Sequence, residues 1–272
     1  MNITSILLDG LELADKKDYY FHFSGTWDFE KDVTTNDTFN DGSTFVRSKN
    51  KPKTLSLEGF ILRDDETLQT KLNAVLSTNR MKTIIINRQY RAQVELTSRG
   101  SSADDSRSIT IALTMPEPYW YSQKPDSVEL GTTYSTGVIF GNNHNVVFGE
   151  NHGVIFGTST GAAGIVTNLG NVDAYPIITI VGECSGILIK NETTGESIQI
   201  SATLELGDTL IIDCSAGTNS TRGIYLNGIS TLTTKTTVGW IHCIPGRNAF
   251  SFARYSLENK KHCTVQLHSR WI

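Results

Sequence analysis

From residue 176 onward the chain alternates short apolar runs with polar turns, and that punctuation limits its fold more than any other feature. The runs are PIITIVG (176–182), GILIKN (186–191), ESIQIS (196–201), DTLIID (208–213), GIYLNG (223–228), AFSFARY (249–255) and CTVQLHSRW (263–271). Their Ile, Val, Thr, Tyr and Phe suit a pleated, half-buried surface. Turns fall at ETTGE, ELGD and Asn227-Gly228, and an Asn-Gly pair is what a type I′ hairpin needs at its two positive-φ centres. This half of the chain has no helical period. Regularly spaced short strands predict a β-sandwich or barrel.

The charge distribution marks where this part begins. Residues 1–130 carry 16 basic and 19 acidic side chains, against 8 and 9 in residues 131–272. All four cysteines lie beyond the seam, and the seam coincides with PEPYWYSQKPDS, which holds three of the six prolines. The chain therefore reads as two domains, 1–130 and 131–272, joined near residues 116–136.

The first domain reads as α+β with one helix. Asp64 or Asp65 can cap its start, and Leu68, Leu72, Val75 and Leu76 recur along one face. TLSLEGFIL precedes this helix as an alternating strand; TIIIN, YRAQVELTS and SITIALTM follow as a meander, with RGSSADDSR as a polar loop. Residues 28–53 are polar and without periodicity, which predicts a long loop or arm.

Between the domains stands an eight-residue repeat over residues 138–161: VIFGNNHN, VVFGENHG and VIFGTSTG. Its apolar triplets leave no solvent face, so it reads either as a covered β strip or as a Gly-rich linker. His144 and His152 hold equivalent positions, with Glu150 nearby, yet Asn and Gly around them are what turns require, and two imidazoles do not make a metal site. His242-Cys243 and His262-Cys263 are neighbours that point to opposite strand faces, as core thiols beside half-exposed histidines do. His22 stands alone. Asp64-Asp65 and Asp104-Asp105 read as a helix start and a polar loop; Tyr119, Trp120 and Tyr121 read as an anchor between the domains.

The sequence holds no P-loop, helix-opening GxGxxG or HExxH, and the letters GxSxG occur only as GTSTG (157–161) at the end of the repeat, where no helix pattern follows to make a nucleophile elbow. Catalytic residues, cofactors and metals are accordingly expected to be absent, and the chain reads as a non-enzymatic assembly or binding protein. A net charge of -4, a pI near 5.9 and no basic block argue against a nucleic-acid binder. No apolar stretch approaches the roughly 20 residues that cross a bilayer. The start, MNITSILLDG, reads as no export signal, so the cysteines are expected as buried reduced thiols.

The linear order carries more. ILLDGLEL, a polar arm, LSLEGFIL, the helix DDETLQTKLNAVLS, strands ending in TMPEPYWYS, and a Cys-containing β half with NLGNVDAYPIITIVG, IKNETTGESIQI, LELGDTLIID, YLNG, PGRNAFSF and VQLHSRWI together resemble the distal tail (Dit) proteins of long-tailed, siphovirus-type phages. The resemblance spans essentially the whole chain and extends to prophages and tail-like bacteriocins. It implies a galectin-like C-terminal sandwich and an N-terminal domain forming a homohexameric ring at the virion tail tip, assembled in the host cytoplasm. Such a ring joins the major tail tube protein to the tail-tip hub or tail-associated lysin, and carries receptor-binding or baseplate proteins. Neither a membrane nor a specific nucleic-acid sequence is an implied partner, although the phage genome would pass through the ring. The alternative is a host-glycan-binding module. Against it, the HSRW ending does not reproduce the His, Asn, Arg and Trp set of sugar-binding galectins.

Overall fold

The structure, a computed structural model, describes residues 3–24, 29–37, 42–63, 65–101, 107–130, 162–216, 221–255 and 262–272, the backbone alone at 162, 163, 254, 255 and 262. The repeat at 138–161, Asp64 and the Asp104-Asp105 pair lie outside the described residues. The chain is mainly β and divides into two compact units, Met1–Lys124 with Arg270–Ile272, and Pro125–Ser269.

In the first unit the strands are β1 (Ile6–Leu8), β2 (Leu11–Glu12), β3 (Tyr19–Ser24), β4 (Lys31–Asp37), β5 (Ser43–Asn50), β6 (Lys53–Ile61), β7 (Lys82–Ile86), β8 (Tyr90–Ser101), β9 (Ser108–Met115) and β10 (Trp120–Ser122). The one α-helix among the described residues, α1 (Glu66–Leu76), lies between β6 and β7. Its N-cap is Asp65, whose carboxylate accepts the Thr67 backbone N–H at 2.8 Å, and it buries Leu68, Leu72 and Leu76, with Val75 partly buried. The main sheet is antiparallel in the order β2-β1-β7-β8-β9-β6-β3. Alternation dictates its buried face: β6 turns Leu55, Leu57 and Ile61 inward, and β9 turns Ile109, Ile111, Leu113 and Met115 inward. These residues and the helix stripe share one core. Asp9 and Gly10, at φ 46° and 87°, form the tight turn between β1 and β2.

Residues 28–53 differ from the expected loop. Most of them form an antiparallel hairpin, β4 paired with β5 from Lys31↔Asn50 to Asp37↔Ser43, with a bulge between Thr34 and Thr35. Among the described residues this ribbon joins no other sheet, and nearly all its side chains on both faces are exposed. A strand pair with no buried face has no reason to alternate apolar and polar residues, and so it escapes a periodicity reading.

The second unit contains β11 (Asp126–Leu130), β12 (Ala162–Asn168), β13 (Ile177–Val181), β14 (Ser185–Asn191), β15 (Ser197–Ile200), β16 (Thr209–Asp213), β17 (Gly223–Leu226), β18 (Ile229–Ser230), β19 (Gly246–Tyr255) and β20 (His262–Leu267). They form two antiparallel sheets, β11-β20-β13-β16-β17-β18 and β12-β19-β14-β15. Both sheets contribute to one apolar core, through Ile178, Ile180, Leu210, Ile212 and Val265 on one side and Ile187, Ile189, Ile198, Phe250 and Phe252 on the other. Asn227 and Gly228, at φ 49° and 82°, close the β17–β18 hairpin as a type I′ turn. Gly164 in β12 admits a close approach, since a Cβ there would lie 2.5 Å from Val128 Cγ2 and 2.7 Å from Leu130 Cδ2. A last strand, β21 (Arg270–Trp271), pairs with β10 in the first unit's sheet.

Candidate functional site

Two surfaces and one cavity stand out. The first surface is the β4–β5 hairpin. Phe29, Val33, Phe45 and Val46 are about half exposed or more, which is unusual for such side chains on a two-stranded ribbon in water. Ion pairs Lys51–Glu30 (2.9 Å) and Lys49–Asp32 (3.5 Å) lie along its base, and Asn50 Nδ2 donates to the Tyr119 hydroxyl at 2.8 Å. The ribbon is thus held at its root and bare over the rest of its length.

The second surface lies at the β3 edge of the first unit's sheet. Tyr20 and Phe60 are cross-strand partners on the outer face, each 44% exposed, with Leu62 equally exposed and the His22 ring 6.2 Å from that of Tyr20. An edge strand beside an apolar patch offers both backbone pairing and hydrophobic burial to another chain. Gly59 holds this edge in place: a Cβ there would lie 2.6 Å from the Phe21 Cα and nearer still to the Tyr20 carbonyl oxygen.

The aromatic cluster behind the hairpin is structural. Trp120 is buried in the first unit's core, and the Arg270 guanidinium sits 3.5 Å above the Tyr119 ring. Burial pushes the Tyr121 phenol up to about 12, and its hydroxyl donates to Glu117 at 3.3 Å.

In the second unit a cavity of about 350 Å³ is lined by Gly195, Glu196, Ser197, Thr237, Val238, Gly239 and Trp240. Glu196 Oε2 accepts from the His242 backbone N–H (2.8 Å), pairs with His242 Nδ1 (2.7 Å) and accepts from the Thr194 hydroxyl (3.3 Å). The Arg222 guanidinium and Lys235 ammonium lie 5.5 and 5.2 Å from the Trp240 ring centroid. Lys235 donates to the Thr237 carbonyl, and burial lowers its pKa.

Of the residues singled out in the sequence, His242 is half-buried beside a fully buried Cys243, in a segment that is not a strand but meets Ala174 through an isolated bridge at Cys243. Cys184, Cys214, Cys243 and Cys263 are all buried thiols. Burial pushes Cys214 up to about 12 and Cys243 up as well, so both stay protonated. His144, Glu150 and His152 lie outside the described residues. Among the described residues no three His, Cys, Asp or Glu side chains converge as a metal would require. The hairpin patch, the β3 edge and the Trp240 cavity carry no sequence motif. Only the β-forming Thr, Val and Phe scattered through residues 28–53 hinted at the first.

The second unit's motifs surround three buried asparagines. Asn168 Nδ2 donates to Val172 O (2.8 Å) and Cys243 O (3.2 Å); Asn191 Nδ2 donates to His242 O (2.8 Å); Asn248 Nδ2 donates to Ile244 O (2.8 Å) and Gly246 O (3.1 Å). They come from NLGN, IKNETTG and PGRN, so these motifs secure the 242–246 segment. Residues 169–271 match the family model of the siphovirus-type tail component, C-terminal domain, SPP1 Dit. That stretch is what the chain shares with the Dit family. The whole chain also superposes on the Dit protein (gp 19.1) of phage SPP1, described as a paradigm of the hub adsorption apparatus in phages infecting Gram-positive bacteria. That match has a TM-score of 0.64 and 12% identity, covering 98% of this chain and 99% of that one. A chain of the phage P2 baseplate, in its activated conformation with Ca, matches with a TM-score of 0.52 and 9% identity, covering 98% of both. No curated protein sequence matches this chain. Its fold is that of these phage hub and baseplate chains.

Proposed function

We propose that this chain is a Dit-family, non-enzymatic distal tail protein whose 1–130 domain forms a homohexameric ring at the virion tail tip. The ring joins the tail tube protein to the hub and provides docking for receptor-binding or baseplate proteins. Its 131–272 domain is a galectin-like sandwich. The observation that carries this reading is the full-length match to a phage hub protein, with the family match over residues 169–271. The surfaces agree with it. A cyclic assembly needs one patch on each subunit complementary to a different patch on the next. The bare hairpin, which falls within residues 28–53, and the Tyr20–Phe60 edge are two such unlike patches. The test is co-expression with the tail tube and hub proteins of the same phage. Co-purification of a three-component complex supports the reading; failure to join either neighbour counts against it.

A host-glycan-binding role for the second domain is the second reading, favoured by the cavity beside Trp240.

A further inference from the structure

The lining of the Trp240 cavity has an unusual balance of chemistry. Glu196 Oε1, Ser197 Oγ and Trp240 Nε1 have no hydrogen-bond partner among the described residues, whereas Glu196 Oε2 is fully occupied. The residues that carry this acceptor, hydroxyl and N–H donor all line the same cavity. Gly195 and Gly239, at φ 78° and 85°, also line it, and a Cβ at either would meet nothing within 4 Å. The turns that bound the cavity thus leave open space above their backbone.

The surrounding charges select the occupant. Arg222 and Lys235 flank Trp240 and disfavour an incoming cation; the Glu196 carboxylate in the wall disfavours an anion. What remains is a neutral group carrying several hydroxyls, each able to donate and accept, with an apolar face for the exposed Val238. A cavity of about 350 Å³ is at the small end of ligand pockets, the size for one or two sugar rings.

We propose that the cavity formed by Glu196, Ser197, Thr237 and Trp240 is a binding site for a neutral saccharide. This rests on the glycan-binding reading of the second domain and names its site, on the side of the unit bounded by the 195–197 and 237–240 segments. Glu196 accepts a sugar hydroxyl through Oε1 while His242 fixes its other oxygen. Ser197 and the Trp240 N–H bond neighbouring hydroxyls.

The test uses the full-length protein and methyl glycosides of glucose, galactose, N-acetylglucosamine and rhamnose, with glucuronate and glucosamine as charged comparisons, in saturation-transfer NMR titrations. A single sugar of about twelve heavy atoms is expected to bind at millimolar strength. Ser197→Phe fills the cavity from a half-buried strand position and should weaken that binding at least about tenfold with the thermal midpoint unchanged. Trp240→Leu should weaken it too, and the Ser197 variant decides the matter if Trp240→Leu unfolds. Binding that survives Ser197→Phe overturns this site and leaves the glycan reading standing elsewhere on the molecule. A preference for either charged sugar overturns the neutral assignment. No binding of any neutral glycoside at about 20 mM overturns both the site and the glycan reading.

Discussion

At the scale of single residues, the second unit depends on polar groups it has buried. Asn191 and Asn248 are fully inaccessible and Asn168 nearly so. Asn248 alone accepts from the Ile244 N–H (3.1 Å) and Asn191 Nδ2 (3.3 Å) and donates to two carbonyls. Asn248→Ala should lower stability by about 1–3 kcal/mol, because it strands buried donors and acceptors without opening them to water. Asn248→Asp, almost the same shape, should cost at least as much, since a carboxylate oxygen would face the Ile244 and Gly246 carbonyls. Urea denaturation of the two variants checks this; an Asp variant as stable as the parent would show that these hydrogen bonds contribute little. The sequence shows these asparagines inside its motifs, but in a row of letters Asn is a turn residue first, and only the fold reveals that its side chain is the partner of a distant loop. Lys82 was equally hidden. It is 1% exposed and donates to the carbonyls of Thr78 (2.7 Å) and Arg80 (3.3 Å), just beyond the end of α1, whereas a lysine at a strand start reads as solvated.

At the scale of elements, what could be read was whatever buries one face. The stripe Leu68, Leu72, Leu76 gave α1 its period, and alternation in β6 and β9 gave those strands theirs, because each element has one side in the core. The Asn227-Gly228 turn was legible for a different reason: two successive positive φ values suit few residue pairs. The β4–β5 hairpin lacks both signals, so it read as an arm without structure. Its exposed Val33, Phe45 and Val46 bury nothing within the described residues, and a ribbon of this kind is stabilised by a partner. A Phe45→Asp, Val46→Asp variant should keep its thermal midpoint within about 2 °C as a monomer, since neither side chain belongs to the core. It should also weaken subunit association at least about tenfold, measured by analytical ultracentrifugation over a dilution series. Unchanged association would remove the hairpin from the interface.

At the scale of the whole molecule, the contrast between a charged first half and a sparsely charged, Thr-rich second half follows two compact units with separate cores. Their boundary falls at Lys124 rather than residue 130, and the last three residues return to the first unit. A seam drawn from composition could not show that return, because β21 pairs with β10 across about half the chain's length and no local signal marks such a pairing. The chain has two unlike exposed surfaces on its first unit and the fold of a phage hub protein. The account built on them stands or falls on assembly. Native mass spectrometry of the purified full-length protein, with electron-microscopy class averages of the same sample, measures it most directly. The account predicts a species of six subunits and averages with six-fold symmetry around an open centre. A strict monomer at every concentration, still monomeric when mixed with its tube and hub proteins, would contradict it.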